Sequence, residues 1–406
     1  MFRPLGRAEE RPTPASAAAT EPVARDHSLD GLRGLAALVV VFFHFTCAYV
    51  PSLLPEQTAA PAAITDVPGS IIFNGSFAVA VFFVLSGYVV SASAAKRRYS
   101  LPVQLASRYL RLGVPVLFST LSAWVLLQSF PDALHRLKQL EPHPWLSWSY
   151  DGNLPGFRAA LVHGIYRVFR DGSSSYNNAL WTMKVELLGS IGIYLIYRLP
   201  RRWQMAGIAV FALIALRRMQ YEGFVAGMLL REFSSGLSRR LGWAALLSGL
   251  LLGSQYKGFG ERMGLPALPA ALSPGDPMSI WYVLGGGALV YSVLVLPQLK
   301  TFFGSPPLRF LGKISFPLYL VHVPLLYTIF AAAYGRTPLW FLFAAFIAAS
   351  VLLAVVAERF IDAPTLHAIQ AIQRASLEFR MQLRRPKGLE EVSRKGAVAT
   401  PSVETR

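Results

Sequence analysis

A single cysteine, Cys47, stands in 406 residues, so no internal disulfide and no cysteine-built metal site can form. Charge is scarce as well: Asp, Glu, Lys and Arg make up 15% of the chain, against about 25% in soluble globular proteins. So little polar surface, with the apolar residues gathered in long runs, excludes a disordered chain, a secreted disulfide scaffold and an ordinary cytosolic enzyme. Several catalytic signatures are also missing: there is no G-x-S-x-G elbow, P-loop, G-x-G-x-x-G or H-x4-D pattern.

What is present is hydrophobic. Such residues make up 53% of the chain, in runs near 34–50, 71–94, 112–128, 179–198, 203–216, 221–235, 241–256, 280–296, 315–333 and 338–357. The net charge of +17 comes from 39 basic against 22 acidic residues. Most of the basic residues flank apolar runs, where they serve as topology determinants and headgroup contacts and not as a nucleic-acid surface. With the N-terminus inside, the inner connections hold Lys96, Arg97, Arg98, Arg108, Arg111, Arg198, Arg201, Arg202, Arg239, Arg240, Lys300, Arg309 and Lys313, while 51–70 holds none. Arg217 and Arg218 are the exception. The expectation is an all-α membrane protein with about ten transmembrane helices and both termini cytoplasmic.

Residues 1–28, rich in Ala, Pro, Glu and Arg, read as a disordered cytoplasmic tail without the apolar centre of a signal peptide. Residues 29–362 form the membrane domain, with an outer loop at 129–178. Its Trp145, Trp148, Tyr150, Phe157, Tyr166, Phe169 and Tyr176 suit either sugar stacking or an interfacial aromatic belt. Residues 363–406 read as a basic cytoplasmic tail, with Ile369, Ile372, Phe379 and Leu383 on one face of a surface helix.

Ionisable groups inside apolar runs carry the functional signal, because burying them in hydrocarbon is costly. In LDGLRGLAALVVVFFHF (29–45), Arg33 stands at the bilayer entrance and His44 about 16 Å further along the helix. His44 either does chemistry or hydrogen-bonds across the bundle for packing. A second group comprises Ser86-Gly87-Tyr88 and, further on, Arg108 and Arg111, which share a helical face just before Pro115. Paired guanidiniums can hold phosphate bidentately, although these two alone also fit ordinary flanking charge. In the third group, LWTMKVE, Glu186 falls about 10 Å from the outer edge and His44 about 9 Å from it, so the two can meet. That carboxylate would orient the imidazole; a pair with Lys184 is weaker, because i and i+2 face different ways. In FLGKISFPLYLVHVPLL (310–326), His322 taken alone reads as a packing histidine.

These blocks occur together and in order. The Arg33–x10–His44 spacing, FFVLSGY, Arg108 and Arg111 before Pro115, LWTMKVE and FLGKISFPLYLVH resemble the membrane acyltransferase 3 family over roughly residues 29–362. The resemblance implies ten core helices, O-acylation of sugars, polysaccharides or similar acceptors, and an acyl-CoA donor reached from the cytoplasm. It places the family's essential residues on Arg33 and His44, its arginine pair on Arg108 and Arg111, and its acidic residue on Glu186. Leu187-Leu188-Gly189-Ser190 follow that Glu in place of a second acidic or aromatic residue, which leaves the acceptor class open.

The resulting expectation is an integral-membrane acyltransferase of a cell inner membrane, bacterial by its Ala/Arg-rich composition. It transfers an acetyl or other acyl group from acyl-CoA to a carbohydrate or other envelope hydroxyl, with no permanently bound cofactor and no metal. His44, Arg33 and Glu186 are the catalytic candidates; Arg108, Arg111, Ser86, Tyr88 and His322 are the substrate-binding ones. Two rivals stand beside it: a glycolipid transporter or flippase, which should show inverted repeats, and a membrane-bound O-acyltransferase of the other multi-pass superfamily, built on His322.

Overall fold

The structure is a computed structural model that describes residues 26–54, 68–142, 144–150, 154–216, 221–233, 238–254 and 279–384. Every regular element among them is helical. The chain runs through α1 (His27–Tyr49), α2 (Gly75–Ala95), α3 (Leu101–Ser129), α4 (Ala133–Leu140), α5 (Pro144–Ser147), α6 (Phe157–Val162), α7 (Val168–Asp171) and α8 (Trp181–Arg198). It continues through α9 (Arg201–Ala215), α10 (Glu222–Glu232), α11 (Arg239–Ser254), α12 (Ser279–Val295), α13 (Pro297–Phe303), α14 (Pro306–Leu325), α15 (Ala331–Ala333), α16 (Leu339–Ala357) and α17 (Ala363–Arg384).

A helix stands at each of the ten apolar places. Six are long and apolar enough to cross a membrane, and α12 with α13, bent by 98°, makes a seventh if taken as one span. α9, α10 and α11, at 15, 11 and 16 residues, fall short of the roughly 20 that cross a bilayer unaided. α1 starts earlier than composition suggests because Asp26 caps it, its carboxylate accepting the Ser28 backbone N–H at 3.0 Å. Residues 1–25 of the expected tail, Arg217 and Arg218, and the chain beyond Arg384 lie outside the described residues. α17 forms where a surface helix is expected. Ile369 is buried and Gln373 donates to Ser107 of α3, while Ile372, Phe379 and Leu383 stay exposed.

Small residues set the central crossings. α1 packs along α14, where a Cβ on Gly34 would lie 2.4 Å from the Gly312 nitrogen. α2 meets α10 in the same way: a Cβ on Gly227 would lie 2.2 Å from the Val84 carbonyl, and one on Gly87 2.4 Å from that of Phe224. The GFVAG and GLLLG pairs are thus helix-packing motifs. Gly34→Ala should lower the thermal stability of the detergent-solubilised protein, by roughly 1–3 kcal/mol on the scale of overpacked cores. An unchanged melting curve would mean that α1 and α14 are not this close.

The segment 129–178 is more than a loop. Trp124, near the end of α3, donates its indole N–H to the Pro155 carbonyl at 2.8 Å. Gly164 abuts Leu117 and Thr120, and Tyr109 donates to the Ile165 carbonyl at 2.6 Å. The α6–α7 segment therefore runs antiparallel along about 22 Å of α3. Gly172, in the left-handed region at φ 70°, then turns the chain beside Lys184, and residues 173–177 return to mid-helix depth. There the fold meets a backbone requirement. Pro324 in α14 has no N–H for the Leu320 carbonyl, which instead accepts from Ser119 Oγ at 2.7 Å and Asn177 Nδ2 at 2.8 Å. At the same end of the bundle, Tyr334 donates to Glu141 at 2.7 Å. Burial and that carboxylate push its pKa up to about 12, so it remains a donor at neutral pH.

Candidate active site

Two polar sites share the bundle axis. The first is a cavity of about 350 Å³ at the end where α1 begins. Its charged lining is Arg33 from α1, Arg108 and Arg111 from α3, Glu186 from α8, Lys313 from α14, and Glu358 and Asp362 at the end of α16. Each cation is matched: Arg108 pairs with Glu186, Arg111 with Asp362, Lys313 with Glu358 at 3.1 Å and Arg33 with Asp30 at 3.3 Å. Ser86 also belongs here, donating its hydroxyl to Glu186 at 2.6 Å. A π turn over Glu358–Asp362 ends α16 and supplies both the carboxylates that meet Arg111 and Lys313. Arg108 retains a buried Nε–H without a hydrogen-bond partner among the described residues.

The second site is a stacked imidazole pair. His44 Nδ1 lies 2.7 Å from His322 Nε2, with the rings 10° from parallel. His322 Nδ1 lies 3.0 Å from the Leu318 carbonyl, which can only accept. In the neutral pair His322 therefore carries its proton on Nδ1 and accepts at Nε2. His44 must then donate from Nδ1, which leaves its Nε2 lone pair without a hydrogen-bond partner among the described residues, a tautomer assigned by the network itself. Trp145 of α5 stacks over His44 at 4.9 Å between centroids and also meets Tyr327 at 5.6 Å. Asn178 donates to the Trp145 carbonyl at 3.3 Å and keeps its side-chain oxygen buried, with no hydrogen-bond partner among the described residues.

One layer separates the two sites. The Tyr319 hydroxyl lies 3.0 Å from Thr182 Oγ1 and donates to the Ala179 carbonyl at 2.8 Å; both side chains line the cavity. The ring of Tyr319 meets that of His322 edge-on at 6.0 Å.

The expected His44–Glu186 contact is not there. Depth counted along the sequence places the outer end of this span near residue 179. In fact Asn177 is already at the level of Ser119 and Leu320, so Glu186 lies further in and meets Arg108 and Ser86. His322, read alone as a packing residue, is the partner of His44. Tyr88 does not line the cavity, and Gly87 serves the crossing with α10. The structure thus brings Arg33, Ser86, Arg108, Arg111 and Glu186 together, and His44 with His322. The cavity adds Lys313, Glu358, Asp362, Thr182 and Tyr319, none of them a site candidate from sequence. Their visible signal is two carboxylates four residues apart, Glu358 and Asp362, directly after the last apolar run.

The model of a family described as an acyltransferase domain, Acyl_transf_3, matches residues 26–359. A curated relative, Acyltransferase clz18 of Cochliobolus lunatus, is 21% identical over an alignment covering 86% of this chain and 96% of its own. No solved structure matches the chain significantly.

Proposed function

The chain belongs to the acyltransferase 3 family and is an acyltransferase, and from that premise we propose that it transfers an acyl group, acetyl in the first instance, from cytoplasmic acyl-CoA to an envelope hydroxyl. The acceptor is a sugar, a polysaccharide or a related molecule. In this reading the enzyme crosses the cell inner membrane ten times, keeps both termini in the cytoplasm and needs no resident cofactor. The observation that carries it is the division of the site: a charged cavity at the Arg33 end, an imidazole beyond it, and one Tyr319–Thr182 layer between them. A donor with phosphates at one end and a thioester at the other suits that division.

The donor's phosphates compete with Glu186 and Asp362 for Arg108 and Arg111, and the unpartnered Nε–H of Arg108 is a charged donor that a phosphate oxygen satisfies. Arg33 lies about 16 Å along α1 from His44, so it acts on the donor and not on the carbonyl beside His44. The pantetheine arm passes Tyr319 and Thr182 to bring its thioester to His44. The acceptor hydroxyl gives its proton to His44 Nε2 as its oxygen attacks the thioester carbon. The carbon–sulfur bond then breaks, and the CoA thiolate takes the proton back from His44. His322 accepts from His44 Nδ1 throughout.

Purified protein in proteoliposomes, supplied with labelled acetyl-CoA and envelope glycans, should release CoA only when acceptor is present, and the glycan should gain the acyl mass. Glycolipid movement across the bilayer without CoA release would establish the transporter instead. Arg111→Ala should raise KM for acyl-CoA about ten-fold with a small change in kcat. A collapsed kcat at unchanged KM would move Arg111 from donor binding to chemistry or folding.

A further inference from the structure

A second cavity, of about 340 Å³, lies away from the acyltransfer site and is lined by Ala95, Arg97, Tyr197, Arg201, Gln204 and Arg231. These residues come from the ends of four helices: the last turns of α2, α8 and α10 and the first turn of α9. α2 and α8 are long and apolar enough to span a membrane, so the cavity sits where a bilayer's hydrocarbon gives way to its headgroups.

The guanidiniums here are fixed before any ligand arrives. Arg97 follows α2 with φ at 46°, a backbone conformation unusual for a side-chain-bearing residue. It is held there by hydrogen bonds from Nε to the Tyr197 carbonyl at 2.9 Å and from Nη2 to the Leu199 carbonyl. Arg201 and Arg231 both pair with Glu232, whose side chain is 3% exposed and also accepts from the Tyr197 hydroxyl at 2.6 Å. Arg201 reaches Gln204 as well, at 2.9 Å. Arg201 and Arg231 share the carboxylate of Glu232, and with Arg97 they set three guanidiniums around an open concavity. Beside it the surface is apolar: Leu199, Trp203 and Phe233 are exposed, and α9 continues with exposed Val210 and Leu213.

We propose that this cavity is a binding site for the headgroup of an anionic phospholipid. Its phosphate meets the Arg97–Arg201–Arg231 cluster, and its acyl chains lie along the exposed apolar face of α9. Fixed guanidinium forks are well matched to phosphate oxygens, and basic pockets between spans at a bilayer surface suit such headgroups. The adjoining apolar face distinguishes a lipid from a free phosphate, which would gain nothing from Trp203 or Leu213. The inference does not depend on the acyl donor or acceptor.

The test is native mass spectrometry of the full-length, delipidated protein titrated with phosphatidylglycerol or phosphatidylcholine in detergent. Wild type should retain phosphatidylglycerol about ten-fold more tightly than phosphatidylcholine, and Arg201→Gln should lose most of that preference. Arg201→Lys, which keeps the charge without the fork, should fall between them. Arg202→Gln is exposed on the same helix but outside the cavity, and it should bind like wild type. Arg231 and the Tyr197 hydroxyl still meet Glu232 when Arg201 is replaced, and binding is compared at matched concentrations of folded protein, with folding judged by thermal unfolding. Equal losses for Arg201→Gln and Arg202→Gln would reduce the effect to diffuse surface charge and overturn the site. Inorganic phosphate blocking lipid uptake at concentrations similar to the lipid's would overturn the lipid assignment.

Discussion

His44→Ala should abolish acyl transfer, by at least the 10²–10⁴-fold that a positioned general base typically supplies, while the protein still inserts and purifies as wild type. The imidazole is 7% exposed and, among the described residues, hydrogen-bonds across helices to His322 alone, so its loss removes little of the packing between α1 and α14. That packing is made by the close approach of Gly34 and Gly312 and by the surrounding apolar core. The measurement is CoA release at matched concentrations of folded protein, with folding judged by thermal unfolding. Transfer near the wild-type rate would remove His44 from the mechanism. If His322→Ala were then inactive, the alternative superfamily built on His322 would take its place.

The sequence disclosed the helices and the chemistry more readily than the pairing between them. Apolar runs in a chain with 15% charge fall in ten places, and a helix occupies each. Arg33, Arg108 and Arg111 are visible through their spacing to His44 and Pro115 within blocks that resemble the family, since Arg108 and Arg111 alone also fit ordinary flanking charge, and the cavity gathers all three. The position of Glu186 was not legible. Depth was counted from the end of an apolar run, yet residues 173–177 return to mid-helix depth before α8 begins. Asn177 there joins Ser119 in meeting the Leu320 carbonyl that Pro324 leaves without a helical N–H. Lys313 hid among topology-setting charges. Glu358 and Asp362 depend on a π turn that no regular helical period reveals. The His44–His322 pair was hidden for a simpler reason: each histidine is conspicuous in its own helix, but the crossing that unites them is set by glycines a dozen or fewer residues away.

His322 carries the other large effect. If its role is to hold His44 as the tautomer with its lone pair on Nε2, His322→Ala should lower kcat by about 10²-fold or more and leave KM for acyl-CoA nearly unchanged, because no residue of the charged cavity is altered. Without an acceptor at Nδ1, His44 can place its proton on either nitrogen and can rotate under Trp145. His322→Gln separates this from mere packing. Its side-chain carbonyl can accept from His44 Nδ1 although its volume and shape differ from those of imidazole, so it should recover a substantial part of the lost rate. His322→Leu, apolar and closer to neutral for the fold, should recover none. A purely structural histidine predicts the reverse order: Leu, which buries well beside Leu318 and Tyr319, would keep activity and stability together, and Gln would lose both. Rates and melting temperatures measured on the three variants decide the matter, and activity in His322→Leu equal to or above that in His322→Gln would sink the tautomer argument.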